Sequence, residues 1–245
     1  MKGDIMNILV VNQPLNNRGD QSAHRAFMHK LINKMPNANI KMVFMNRKAE
    51  DVEAIKVEDI SVSYINIKGS EHGIYRIMRY ALCHNRLNVC KVHSVLREYL
   101  ELVRETDAII CCPGGICMGG FMDWSHVWNL YVGMKYKKPI YYWGRSIGPF
   151  SEIDNLHREI KKVSYELIKY FDYISLRDSV SFDLAKSIRN DSERTIDSAF
   201  LEIPCIQLPD EIKKVIGEQY VVFVPNELTW HYKYKEISEK KLMNF

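Results

Sequence analysis

The 245-residue chain is 47% apolar, with 34 Lys and Arg against 30 Asp and Glu for a formal charge of +4. That is enough apolar material for one large α/β domain, or for one domain and part of another. So weak a basic balance, without a long basic tail, gives no ground for a nucleic-acid partner and suits a small anionic ligand. The apolar run at the N-terminus is too short for a signal peptide or membrane span, and Asp4 stands where a signal would be positive, so a cytoplasmic protein with no transmembrane segment is expected.

Residues 7–12, NILVVN, read as a first buried strand, and helical apolar spacing follows over 23–35. The loop between them carries NNRGD. Asn16, Asn17 and Gly19 are turn formers, and Asp20 or Ser22 is placed to cap the helix. Turn-and-cap chemistry accounts for this loop as well as ligand binding does. Residues 39–45 and 62–67 are the next predicted strands, and 73–104 reads as mostly helical, with arginines and a lysine around an apolar stripe. A solvated amphipathic surface explains that stretch better than a track for an acidic glycan or a membrane. Cys83, His84, Cys90 and His93 lie close in sequence, but their interval matches no standard zinc spacing, so no metal site is expected.

The chain is organised around 107–120, DAIICCPGGICMGG. An apolar run over 108–112 predicts a buried parallel strand, Pro113 ends it, and four glycines, Gly114 and Gly115 among them, open a loop before a helix over 121–136. Free amides and a helix dipole at such a place favour an anion. A second unit of the same kind follows. A strand over 139–143 runs into GRSIGPF, which holds Arg145 and Ser146, and a helix is predicted over 152–170. The strand 172–176 then ends at Arg177 and Asp178 before a helix over 179–188. An arginine at that position can aim its planar fork at a carboxylate or phosphate, or pair with Asp178 or another loop.

Residues 195–201 read as a short edge strand, and the prolines of 202–210 interrupt regular structure. We expect a Rossmann-like N-terminal domain over 1–204, a linker over 205–217 and the start of a second Rossmann-like domain over 218–245, with a strand at 218–224 and a helix beginning near 237. Alternating strands and helices predict a doubly wound parallel sheet. Right-handed crossovers then bring every strand-to-helix loop to one rim, where NNRGD, PGGICMGG, GRSIGP and LRDS would converge. The nicotinamide G-x-G-x-x-G fingerprint and the P-loop are absent from the sequence.

The ordered set NNRGDQSA, IICCPGGICMGGF, YYWGRSIGPF, ISLRDSVS, TIDSAF and FVPNELTWHYKYK resembles the polysaccharide pyruvyl transferases. The resemblance implies a GT-B-like fold of two Rossmann-like halves. It also implies transfer of a pyruvyl group from phosphoenolpyruvate, the donor substrate, to two hydroxyls of a sugar or polysaccharide acceptor, with no cofactor. By resemblance, Arg177 and then Arg145 contact the donor, and Asn17, Gly19 and Asp20 line the acceptor side or the interdomain cleft; Gly114, Gly115 and Ser146 are further expected substrate-binding residues. His231, in the first loop of the second domain, is the candidate catalytic residue, although a surface role explains it too; His126 is a weaker candidate. Family members are usually longer, so the sequence reads as the donor-side half, ending soon after a second domain begins. A lipid-linked acceptor would place the protein peripherally at the inner membrane face. A nucleotide-sugar glycosyltransferase and a non-catalytic glycan- or anion-binding module are the alternatives.

Overall fold

A computed structural model describes residues 5–14, 17–57, 59, 61–201 and 209–216 of the chain. The chain divides into two units, Met1–Glu202 and Ile203–Phe245. The first half of unit one runs β1 (Asn7–Val11), α1 (Arg18–Lys34), β2 (Asn39–Met45), α2 (Ala49–Glu53), β3 (Val62–Ile67), α3 (Ile74–Cys83) and α4 (Ser94–Arg104). It continues through β4 (Ala108–Cys111), β5 (Gly114–Gly119), α5 (Trp124–Lys135), β6 (Ile140–Gly148), α6 (Asn155–Tyr170), β7 (Tyr173–Leu176), α7 (Ser179–Ile188) and β8 (Glu193–Arg194). In the second unit, α8 (Asp210–Val215) falls within the stretch expected to be linker. His231, the strand over 218–224 and the helix near 237 lie outside the described residues.

Among the described residues the strands form one sheet in the order β3-β2-β1-β4-β6-β7-β8, with β5 paired to β6 off that row, and every pairing is parallel. From β1 the chain winds outward to β3, returns to β4 on the other side of β1 and winds outward again. The winding direction therefore reverses between β1 and β4, which is where open sheets of this class leave a crevice at their carboxyl edge. The central strands β1 and β4 are buried on both faces. In β1, Ile8 and Val10 pack with Phe27, Met28 and Leu31 of α1, while Leu9 and Val11 join the larger core of Val103, Trp128, Leu130 and Leu167 from α4, α5 and α6. A continuous apolar strand such as ILVV is what a two-sided position requires.

Several boundaries differ from the sequence expectations. The first helix begins at Arg18, five residues early, because Asn17 is its N-cap and its Oδ1 accepts from the amides of Gly19 at 2.7 Å and Asp20 at 3.2 Å. The predicted glycine loop contains β5, and β6 runs on through Gly148 instead of stopping at Trp143. The two extensions explain each other, since Gly114 pairs with Arg145 and Gly119 with Gly148. A Cβ on Gly119 would lie 2.6 Å from the Gly148 Cα, so glycine permits the close approach. The edge strand is β8; residues Ser198–Leu201 form a 3-10 turn instead, started by Asp197 Oδ1 accepting from the Ala199 amide at 3.0 Å.

Candidate active site

The carboxyl edge of the sheet carries two connected features, an arginine network beside β6 and β7 and a cleft beside β1 and β2. The network begins at Arg177, the residue after β7. Its Nε donates to Ser146 Oγ at 3.2 Å and its Nη1 pairs with Asp197. Ser146 Oγ donates in turn to Asp178 Oδ2 at 2.6 Å. Asp178 N-caps α7, accepting from the Ser181 amide and hydroxyl, each at 2.8 Å. Burial alone would raise the Asp178 carboxyl, but donation from Ser146 and Ser181 and the Arg177 charge hold it below its ordinary value. Arg177 is thus held on two edges, remains partly exposed, and has an Nη2 without a partner among the described residues. Its ion pair is with another loop, one of the roles the sequence allowed.

Arg145 is placed differently from the expectation that it reaches a ligand. It is 0% exposed, and its Nη1 donates to the carbonyls of Asn12 at 2.9 Å and Cys112 at 2.7 Å. Its Nη2 lies 3.2 Å from the Cys117 sulfur. Because β6 continues past Trp143, the residue projects beneath the rim and ties the ends of β1, β4 and β5 together. Gly114 makes room for it, since a Cβ there would lie 3.3 Å from both guanidinium nitrogens and 2.9 Å from Pro14. Gly115 has open space around it. Ser146 is buried and acts as the bridge between Arg177 and Asp178. Asn17 and Gly19 are exposed in the cap of α1, with the Asn17 oxygen occupied by the two amides.

Asp20 joins the two features. It lines the cleft, and its carboxyl is raised by burial, opposed by the charges of Arg145 and Arg177 and reinforced by Asp197. The cleft, about 310 Å³, is otherwise built from residues the sequence reading did not single out: Asn12, Gln13, Asn46, Glu71, Asp123 and Asn129. Asn12 and Asn46 directly follow β1 and β2 and take positive φ, 66° and 51°. Two predicted strands that each run into an asparagine, VVN and FMN, were the available signal, because asparagine tolerates the left-handed region better than other side chains. His126 also lines the cleft. Its amide is capped by Asp123 at 3.0 Å, and burial, together with Arg145, pushes the imidazole well below its ordinary value, so it is neutral. Among the described residues no group of three or more His, Cys, Asp and Glu could hold a metal ion. No described helix is long and apolar enough to cross a membrane.

A doubly wound parallel sheet with a polar cleft at its topological switch point is the frame of a ligand-binding α/β protein. The polysaccharide pyruvyl transferase family model matches residues 17–244, and the chain belongs to that family. No curated protein matches the sequence. Among solved structures, UGT2 of Phytolacca americana, complexed with UDP-2fluoro-glucose and pterostilbene, is 10% identical with a TM-score of 0.46, covering 87% of this chain and 57% of its own. UGT71G1 of Medicago truncatula, complexed with UDP-glucose, is 10% identical with a TM-score of 0.41, covering 78% of this chain and 51% of its own. The chain therefore spans a little over half the length of the structures it matches.

Proposed function

We propose that the protein serves transfer of a pyruvyl group from phosphoenolpyruvate to two hydroxyls of a polysaccharide or glycan precursor, giving a pyruvate ketal and phosphate. The carrying observation is Arg177, held by Asp197 and Ser146 with one nitrogen left open at the rim among the described residues. A planar fork fixed in this way is suited to a carboxylate or phosphate oxygen. In the reaction, the methylene carbon gains a proton, C2 becomes cationic, and two acceptor hydroxyls form C–O bonds to it as the C2–O bond to phosphate breaks. The two hydroxyl protons are balanced by the new methyl C–H and by hydrogen phosphate. Cationic groups stabilise the departing phosphate, and a general acid supplies the proton to carbon. His231 is the candidate acid in this reading. Phosphoenolpyruvate is a substrate, and the scheme uses no cofactor. We place the reaction in the cytoplasm, at the inner membrane face where the acceptor is lipid-linked. We take 1–204 as the donor-side domain, 205–217 as a linker and 218 onward as the start of a second domain.

Calorimetric titration of phosphoenolpyruvate into the full chain tests the donor assignment, beside Arg177→Ala and Arg177→Lys at low and moderate salt. Saturable binding that falls about tenfold or more in Arg177→Ala, as expected for a lost charge-assisted bond, supports it. Binding that is unchanged in both variants refutes it.

A further inference from the structure

Two side-chain amides in the cleft are oriented by their neighbours, and the orientation leaves acceptors over. Asn12 Nδ2 donates to the His126 carbonyl at 3.1 Å, which turns Asn12 Oδ1 toward Asn129, and Asn129 Nδ2 donates to it at 2.8 Å. Asn129 Oδ1 is then the atom without a partner. Likewise, Gln13 Nε2 donates to the Pro14 carbonyl at 2.6 Å, which leaves Gln13 Oε1 without a partner among the described residues, on a side chain that is 6% exposed. His126 Nε2, on a side chain 3% exposed, also lacks a partner. Buried polar atoms are rarely left unsatisfied, and each costs on the order of 1–3 kcal/mol when it is. The two leftover acceptors are satisfied by a group that donates hydrogen bonds, water or a ligand hydroxyl alike.

The charges narrow the class further. Asp20, Glu71 and Asp123 line the same cleft against a single cation among the described residues, Arg47, while the Arg145 fork beneath it is turned to backbone carbonyls. A carboxylate or phosphate entering there would meet like charge and could not donate to Gln13 or Asn129. A hydroxyl group satisfies both conditions.

We infer that this cleft is the acceptor subsite and takes an uncharged, hydroxyl-rich sugar face, whose hydroxyls donate to Gln13 Oε1 and Asn129 Oδ1, and that it discriminates against uronic acids. The anionic donor is then left to the Arg177 network on the other side of Asp20. Naming the ligand as the acceptor rests on the pyruvyl transfer reading; the preference for a neutral polyol does not.

The test is an NMR titration of the full chain with methyl β-D-glucopyranoside and methyl β-D-galactopyranoside, each beside its uronate counterpart, following the side-chain amide resonances of Gln13 and Asn129. Both neutral glycosides should shift those resonances saturably, with the uronates roughly tenfold weaker, a difference that shrinks as salt is added. Glu71→Lys, an exposed change, should strengthen uronate binding several-fold relative to the neutral sugars. Gln13→Met should weaken the neutral sugars. Uronates that bind as well as neutral sugars, or neutral sugars that produce no shifts up to their solubility, overturn the inference. Glycoside binding without phosphoenolpyruvate binding would refute the donor assignment and leave this site standing; the reverse result would remove this site alone.

Discussion

Ser146 Oγ donates to Asp178 Oδ2 at 2.6 Å while accepting from Arg177 Nε at 3.2 Å, so a single buried hydroxyl sets the direction of the arginine. Ser146→Ala removes both bonds. Asp178 keeps the Ser181 amide and hydroxyl, but Arg177 Nε loses its acceptor. The variant should lose about 1–3 kcal/mol of stability, read by urea denaturation. Arg177 should then bind phosphoenolpyruvate more weakly even though its charge is intact. Unchanged affinity would mean that Asp197 alone fixes the fork.

His24 makes stability depend on pH. It is completely buried on α1, and neither ring nitrogen meets hydrogen-bond geometry with a partner among the described residues, although the nearby Ile55 backbone offsets part of the burial. Burial lowers its pKa from 6.5 to about 4. Because the folded state refuses a proton that the unfolded state accepts, this contribution is present above pH 6.5 and is lost as the pH falls from 6.5 toward 4. Over that window the loss should reach about 3 kcal/mol. Urea denaturation at several pH values should show the slope in the parent protein and a flatter one in His24→Met. Equal slopes would assign the acid sensitivity to other groups.

The order of strands and helices was legible because β1, β4 and β7 are short apolar runs bounded by turn residues, and α6 and α7 keep a helical apolar period. The glycine-rich stretches were harder. GGICMG and GRSIG look like loops when each is considered alone, and they become strands because each supplies the other's ladder. No local pattern announces a partner of that kind. Arg177 could be placed at the rim from the position of LRDS after a strand. The burial of Arg145 could not, since it depends on how far β6 continues. The cleft was missed for a related reason: its amides act through contacts between residues more than a hundred positions apart, such as Asn12 and Asn129.

Gly119→Ala tests the pairing of β5 with β6 directly. The glycine takes φ 111°, which a side chain rarely adopts, and an added Cβ would lie 2.6 Å from the Gly148 Cα and 2.7 Å from its nitrogen. Backbone cannot swing aside as a side chain can. Strain and overpacking, each roughly 1–3 kcal/mol, should combine to destabilise the variant by about 3 kcal/mol. Hydrogen exchange should show lost protection in β5 and the second half of β6 ahead of the first half. Uniform loss across the sheet would indicate that the β5–β6 contact is not a local unit.

Asp20 reports on the arginine network because its carboxyl faces both features. Burial raises its pKa, Arg145 and Arg177 lower it, and Asp197 raises it. Removing a cation should therefore raise the value further, and removing an anion should lower it. In carboxyl-detected NMR titrations, Arg177→Ala should move the Asp20 midpoint upward and Asp197→Asn should move it downward. Phosphoenolpyruvate bound at Arg177 should act as the arginine deletion does, because its negative charge offsets the guanidinium, whereas a neutral glycoside in the cleft should raise Asp20 only through lost water. The anion's effect should vanish in Arg177→Ala, and the sugar's should persist. If phosphoenolpyruvate moves Asp20 equally with and without Arg177, then the donor lies in the cleft itself, and the division of the rim into an anionic side and a neutral side fails.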